Sequence, residues 1–507
     1  MADWITRVPF FVVLMGISSV AMIVPAGFGL YLEDFNAMRI FFYGFVLFSF
    51  LTVVVGLATH GRSSANPAIS QLLTLVAAFT VLPVMLAMPL YETLGNTTLV
   101  RAWFEMVSSF TTTGATIYDN AGRLSPTLHL WRAIVGWMGG LLMWVAAFAI
   151  FAPMNLGGFE VRATAAAGGG AAHPAAQASR IADPSERLTR FTVKLAPIYI
   201  ALTFTLWIGL IVLGEYPYVA LCHAMAVLST SGITPIGGFY FAASGFWGEL
   251  LVFCFFIFAL SRLTFSRGMT GQNEGTWATD PEIRIAVALI LLATVLLFLR
   301  HFVAAIDEST ETQLANSYRA FWGALFTVTS FLTTTGFESA DWIEATNWSR
   351  LPTPGLLLVG MALIGGGVAT TAGGVKLLRV YALYRHSERE LGRLVHPSSI
   401  GGGGRDARLI RRKGAYISWI FFMLFAISIA VVMLLLSLTG VQFEVALVLA
   451  IAALSTTGPL AVVAAESPIS FSGIPDFAQV ILAFAMVLGR LETLAIIALF
   501  NPEVWRK

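Results

Sequence analysis

Four short tracts of serine and threonine, each ending in glycine, are distributed along the chain: Thr111-Thr112-Thr113-Gly114, Ser229-Thr230-Ser231-Gly232, Thr333-Thr334-Thr335-Gly336 and Ser455-Thr456-Thr457-Gly458. They recur about once per quarter of the 507 residues. Each follows an apolar stretch long enough for a short helix (103–110, 218–228, 321–332 and 443–454), and each is flanked by longer apolar runs. The unit is therefore span, short helix, loop, span, repeated four times, and such an internal repeat decides a fold ahead of local propensity.

Composition places these repeats in a membrane. Hydrophobic residues make up 57% of the chain and charged residues 11%, against roughly 25% charged in soluble domains. Apolar runs of bilayer length are expected near 9–31, 40–59, 71–90, 127–152, 193–214, 246–265, 283–305, 352–380, 416–438 and 477–500. The first is read as a retained span, because it lacks a basic n-region and a cleavage site and a second run follows at once. The expectation is an all-α polytopic membrane protein, with four span-pore helix-span repeats around a pseudo-fourfold pore and two extra N-terminal spans.

Orientation follows from Lys and Arg. The loops around 153–194, 262–284 and 376–413 hold 5, 3 and 10 of the 30 basic residues and are expected on the cytoplasmic side. Both termini then lie inside, and the four tracts enter from outside. Asp119, Glu338 and Asp341 follow the first and third tracts, where carboxylates can concentrate cations at a mouth or simply be solvated loop charges. The net charge of +2 is explained by topology and carries no argument for nucleic acid. The two cysteines, Cys222 and Cys254, have no metal-ligand spacing and read as packing residues.

Non-helical backbone at membrane depth is tolerated only where it is buried in protein or lines a wet cavity. Four such loops meeting at an axis can turn carbonyls inward to replace the water around a dehydrated cation. Glycine permits this because it reaches positive φ and has no Cβ to obstruct the path. The candidate cation-binding residues are Thr112, Thr113, Gly114, Thr230, Ser231, Gly232, Thr334, Thr335, Gly336, Thr456, Thr457 and Gly458. The next residue differs in each copy (Ala115, Ile233, Phe337, Pro459), so the ring is only pseudo-symmetric.

The run 352–380 contains Gly365, Gly366, Gly367, Thr370, Thr371, Gly373 and Gly374, five glycines within ten residues. At about 1 kcal/mol per glycine this opposes continuous helix. Either the small residues pack helices closely, or the span breaks into a loop beneath the pore and obstructs it. Arg490 falls within the last apolar run, where a charge costs roughly 2.5–3.5 kcal/mol. It is expected either in a structural salt bridge or in the cavity below the pore, hydrogen-bonded to carbonyls of the glycine-rich loop. Glu492, two residues on, does not share its helical face. Lys376, at the inner end of its span, can snorkel to the headgroups or contribute to gating.

With these residues in view, the chain resembles the Trk/Ktr/HKT superfamily of potassium transporters, and most of all its TrkH branch. The motifs are Thr111-Thr112-Thr113-Gly114-Ala115-Thr116, Gly136-Trp137-Met138-Gly139-Gly140, Thr334-Thr335-Gly336-Phe337, Thr371-Ala372-Gly373-Gly374-Val375-Lys376 and Gly489-Arg490-Leu491-Glu492. The resemblance implies that Gly114, Gly232, Gly336 and Gly458 are filter glycines, that glycine in all four goes with potassium preference, and that the glycine-rich segment is an intramembrane gate. It also implies a homodimer in the cytoplasmic membrane, regulated by a separate nucleotide-binding subunit docked on the basic cytoplasmic loops. Two stretches depart from the branch pattern, Ser231-Gly232-Ile233-Thr234-Pro235 and Thr456-Thr457-Gly458-Pro459-Leu460, and they keep a sodium-permeable or weakly selective transporter as the alternative.

An enzyme is not expected: there is no His-Glu-x-x-His, no serine elbow and no phosphate-binding glycine loop. No covalent cofactor is expected, and potassium is cargo. The chain divides into N-terminal spans (1–67), repeat 1 (68–156), a linker (157–191), repeat 2 (192–270), repeat 3 (281–385), a linker (386–411) and repeat 4 (412–507). Both linkers contain glycine-rich stretches that read as flexible.

Overall fold

The structure, a computed structural model, describes residues 8–61, 67–154, 156–159, 161, 184–261, 280–304, 311–349, 351, 353–396, 412–465 and 467–492. Its elements are all helices, and among the described residues seven helices are long and apolar enough to cross a membrane. Phe10–Tyr31 and Phe35–Thr59 form an N-terminal pair. Asp34 ends the turn between them, its side chain accepting the Ala37 N–H at 3.1 Å as a helix N-cap. Phe35–Thr59 is buried over only 11% of its apolar window. That surface, with Leu47, Phe50 and Leu57 exposed, suits lipid and not water.

The remaining helices fall in the order of the four tracts, the middle helix of the third being the longest of the four middle helices at 22 residues. Repeat 1 is Ile69–Leu94, the short helix Leu99–Phe110, and Pro126–Met154. Repeat 2 is Pro184–Val212, Pro217–Ser229 and Gly245–Leu260. Repeat 3 is Pro281–Ala304, Glu311–Leu332 and a broken span, Gly355–Ile364 with Leu377–Val395. Repeat 4 is Arg412–Leu438, Phe443–Leu454 and Asp476–Leu491. The short helices end in buried residues, and two of their starts are written locally: Thr98 accepts the Arg101 N–H at 3.3 Å, and Pro217 occupies the first turn of its helix, where its missing N–H costs nothing.

Two glycines set how closely the spans approach the short helices. A Cβ at Gly139 would overlap the carbonyl of Phe110, the last residue of the first short helix. A Cβ at Gly489 would overlap the carbonyl of Leu454, the last residue of the fourth. The second span of each of these repeats thus presses directly on the end of its own short helix.

The expected span 246–265 is corrected, and of the two readings of 352–380 the break is the one observed. The run 246–265 folds as two short helices, Gly245–Phe255 and Ile257–Leu260, and ends where Ser261 turns extended. The run 352–380 is interrupted at Gly365, whose φ of 73° ends the helix. The last run is described only to Glu492.

Both expected linkers are also shorter. Helix begins at Pro184 within the expected 157–191 linker, because proline and acidic residues favour a first turn. Leu377–Val395 extends into 386–411, held on its exposed face by Arg385–Glu388 at 2.6 Å and Arg393–Glu390 at 3.0 Å, pairs of the spacing that supports helix. The stretches 162–183 and 397–411, with most of the linker glycines, and the two chain ends lie outside the described residues.

Candidate functional site

Each short helix ends in the same way. Thr112, Thr230, Thr334 and Thr456 adopt left-handed φ of 56°, 54°, 55° and 54°. Their N–H groups return to Ser109, Val227, Phe331 and Ala453 at 2.9–3.2 Å, and the next residues, Thr113, Ser231, Thr335 and Thr457, reach back to Ser108, Ala226, Ser330 and Ala452 at 2.8–2.9 Å. This is the Schellman helix ending, here with a β-branched residue where glycine is usual. A left-handed residue with a Cβ costs roughly 1–2 kcal/mol, and strain of this kind is held where function needs the geometry. A hydroxyl pair completes each cap: Thr111 with Thr113 at 2.8 Å, Ser229 with Ser231 at 3.0 Å, Thr333 with Thr335 at 3.0 Å and Ser455 with Thr457 at 3.3 Å.

The four tracts meet. A Cβ on Gly114 would overlap the Ser231 carbonyl oxygen, one on Gly232 the Thr335 carbonyl oxygen, and one on Gly336 would stand 2.8 Å from Pro459 Cγ. The Gly458 N–H donates to the Thr113 carbonyl at 2.6 Å. The tracts therefore close a ring in chain order, and at each position glycine is required for the approach.

The fourth tract differs from the expectation of a glycine turned to positive φ. Gly114, Gly232 and Gly336 have φ of 72°, 63° and 79°, whereas Gly458 is not left-handed. Pro459 fixes the following φ and caps the short helix Leu460–Val463, so the chain turns at once into helix instead of running out extended. The proline ring also comes within 3.0 Å of where a Gly232 Cβ would lie, reaching the second tract across the ring.

On one side of the ring lies a cavity of about 390 Å³ whose floor includes Gly114, Gly232, Gly336, Gly458 and Pro459. Asp119 and Glu338 line its walls. The Asp119 carboxylate accepts hydrogen bonds from Ser470 at 2.7 Å and Ser472 at 2.6 Å. Burial pushes the Glu338 carboxyl up to about 7. Asp341 does not line the cavity and pairs with Arg319 at 2.8 Å.

On the opposite side sits the glycine-rich loop. Its own ends are zipped together by the Val375 and Lys376 N–H groups donating to Leu363 and Ile364 at 3.0 and 2.9 Å. Gly367 N–H donates to Ala259 O at 2.9 Å, and Thr370 hydroxyl to Gly367 O at 2.7 Å. Thr371 hydroxyl donates to Leu228 O at 3.1 Å, and Gly373 N–H donates to Thr334 Oγ1 at 2.8 Å. A Cβ on Gly373 would overlap the Ser455 carbonyl. Gly365 and Gly374 touch across the base of the loop, and Gly366 packs on Ala259. The loop thus lies directly against the undersides of the second, third and fourth tracts.

Arg490 reaches this loop: its Nη1 donates to the Thr371 carbonyl at 2.6 Å, and its Nε and Nη2 find no acceptor among the described residues. Lys376 Nζ donates to the Ala372 carbonyl within the loop, and its side chain is buried, not snorkelled. Glu492 pairs with Arg379 at 2.7 Å, and the Arg379 guanidinium lies 3.6 Å over the Phe421 ring.

Several residues that hold this site were not singled out in the sequence. Glu282 accepts the Val368 N–H at 2.8 Å and tethers the glycine-rich loop. Glu249 accepts from Trp322 Nε1, Ser339 Oγ and Ala340 N–H, all at 2.7 Å. Glu105, in the first short helix, pairs with Arg132 at 2.6 Å. The signal was available: each is an ionisable side chain in or bordering an apolar segment, where charge is expensive and kept for a purpose.

A closed ring of strained loops beside a polar cavity, in a chain with seven helices long and apolar enough to cross a membrane among its described residues, marks a multi-pass membrane protein. The family model described as TrkH, cation transport protein, matches residues 37–237 and 251–507. The chain is 30% identical over 430 residues to the Trk system potassium uptake protein TrkH of Vibrio parahaemolyticus, covering 81% of this chain and 80% of that protein. It is 25% identical over 499 residues to the Trk system potassium uptake protein TrkG of Escherichia coli K12, covering 97% of each. The crystal structure of the potassium transporter TrkH from Vibrio parahaemolyticus superposes with a TM-score of 0.79 at 25% identity, over 100% of both chains. The chain belongs to the TrkH family of cation transport proteins, a family of transporters and not of enzymes.

Proposed function

We propose that this protein takes up potassium across the cytoplasmic membrane, with the four tracts as its selectivity filter and the glycine-rich loop as its gate. The observation that carries the reading is the stacking of the glycine-rich loop against a closed ring of four Ser/Thr-Gly loops. Carbonyls and hydroxyls of Thr112, Thr113, Thr230, Ser231, Thr334, Thr335, Thr456 and Thr457 are hard oxygen donors suited to an alkali cation. Relatives named as potassium uptake proteins support the choice of cation, as does glycine in all four tracts.

The cavity lined by Asp119 and Glu338 is then the outer mouth, and the loop face is cytoplasmic, in keeping with the distribution of Lys and Arg. Below the filter, the loop 365–376 blocks the path. Arg490 holds that loop through Thr371 and adds a positive barrier, with Lys376 bracing it from within. A homodimer and a separate cytoplasmic nucleotide-binding subunit complete the proposed assembly.

The test is expression in cells lacking their own potassium uptake, with growth and rubidium influx measured at low external potassium, sodium as competitor, and Gly114→Ser in parallel. Rescue that resists sodium in the parent and becomes sodium-sensitive in the variant supports the four-glycine filter. Equal sodium inhibition of both points to the weakly selective alternative. No rescue, even with a co-expressed nucleotide-binding subunit, removes the potassium reading.

A further inference from the structure

The four tracts share a cap, but they do not share the support behind them. Counting back nine residues from each glycine, the short helices carry Glu105, His223, Thr327 and Leu449. Counting back six, they carry Ser108, Ala226, Ser330 and Ala452. These two positions are three apart and lie on one helical face.

In repeat 1, Glu105 accepts the Ile117 N–H at 3.1 Å, and Ser108 hydroxyl donates to Ala115 O at 2.7 Å. In repeat 3, Thr327 Oγ1 accepts the Ser339 N–H at 3.2 Å, and Ser330 Oγ accepts the Phe337 N–H at 2.7 Å. In repeat 2 only the first position is used: His223 Nε2 bonds Thr234 Oγ1 at 3.0 Å, and Ala226 contributes no polar group. In repeat 4 both positions are apolar. All of these side chains are buried.

We infer that this helix face braces the segment just beyond the filter glycine in repeats 1, 2 and 3 but not in repeat 4, so that the ring is uneven. Repeats 1 and 3, diagonal to one another, are held twice; repeat 2 is held once; repeat 4 is not held from its own helix. The unbraced repeat is also the one whose glycine is not left-handed and whose Pro459 turns straight into helix. Its tract leans instead on its neighbour, through Gly458 N–H to Thr113 O. Cation discrimination by a carbonyl ring depends on how firmly the carbonyls are held as well as on their number. The first and third repeats therefore set discrimination, and the fourth is where the ring yields. Glu105, His223, Thr327, Ser108 and Ser330 are positioning residues on this reading, which rests on the tracts being the filter.

The test uses the full-length protein in potassium-uptake-deficient cells, reading the ratio of rubidium to sodium influx at matched membrane abundance. Thr327→Val preserves shape and removes the acceptor, Thr327→Ser restores it, and Leu449→Ile alters the unbraced repeat as a control. The expected result is a loss of discrimination of about threefold to tenfold in Thr327→Val, the effect of one hydrogen bond, with recovery in Thr327→Ser and no change in Leu449→Ile. Glu105→Gln, which keeps an acceptor for Ile117 but loses its charge pairing with Arg132, is expected to fall between. If Thr327→Val keeps the parental ratio while Gly114→Ser loses it, the brace is wrong and the filter reading stands. A parent that carries no rubidium with or without a nucleotide-binding subunit overturns both.

Discussion

Arg379 and Glu492 form a buried ion pair at 2.7 Å, joining the first turn after the glycine-rich loop to the residue that follows the last described helix. Glu492 itself has φ of 64°, so the backbone at the end of that helix is turned to present its carboxylate. The pair couples the two elements that bear Lys376 and Arg490, and it leaves Arg490 free of any carboxylate partner in the structure's described ion pairs.

Removing one member breaks a buried ion pair, which costs about 3–5 kcal/mol. Glu492→Gln is therefore expected to lower the melting temperature of the purified protein and its abundance in membranes. Arg379→Met, which deletes the guanidinium and leaves Glu492 alone, should do the same. A thermal melt in detergent checks both, and parental stability in either variant would mean that the pair is solvated in the membrane protein.

Arg490→Ala should raise rubidium influx without loss of membrane abundance. A unit charge acting over about 8 Å is worth about 2 kcal/mol at an effective dielectric constant near 20, and on the gating proposal an increase of about tenfold or more is expected. Arg490→Lys, which keeps the charge and loses the planar fork, should fall nearer the parent. Unchanged influx in Arg490→Ala would reduce the residue to a scaffold.

Uptake should fall as external pH drops through about 7. The Glu338 carboxyl sits in the cavity wall with its pKa raised by burial to about 7, so its negative charge is present above that pH and lost below it. Fewer cations are then held at the mouth. Glu338→Gln should resemble the acid condition at every pH, and influx measured from pH 6 to pH 8 in parent and variant decides it; a pH response that survives the substitution belongs to another group.

Gly139→Ala and Gly489→Ala should fail to accumulate as folded protein, because each new methyl group meets a carbonyl at the end of a short helix. Gly360→Ala is the matched control, since nothing lies within 4 Å of its added Cβ. Detergent-solubilised yield after size-exclusion chromatography separates them, and equal yields would show that the spans can move apart.

The four tracts were legible in the sequence because a ring needs the same local chemistry four times, and the broken third-repeat span was legible because glycine resists helix. The left-handed threonines were not. Threonine disfavours that conformation, and only the helix ending and the hydroxyl pairs around it make it tenable. Nor was the shape of the fourth tract apparent: Gly458 reads like the other glycines, and its different backbone follows from Pro459 and from contact with a tract far away in the chain. The supports at Glu249 and Glu282 escaped for a related reason. Each serves a loop in another part of the sequence, Ala340 and Val368 respectively, and a single sequence does not announce such pairings. The interrupted span at Gly245–Leu260 hid behind uniform hydrophobicity, which records burial but not continuity.

The bond from Gly458 to Thr113 also governs how the molecule can be made. It joins the first tract to the fourth, so the ring has no fourth side until the fourth tract has left the ribosome. Repeats inserted in order are thus an assembly of helices with a gap, and a chain truncated before the fourth tract cannot close the ring. Closure of the circle waits for the fourth tract, however early the first three are in place.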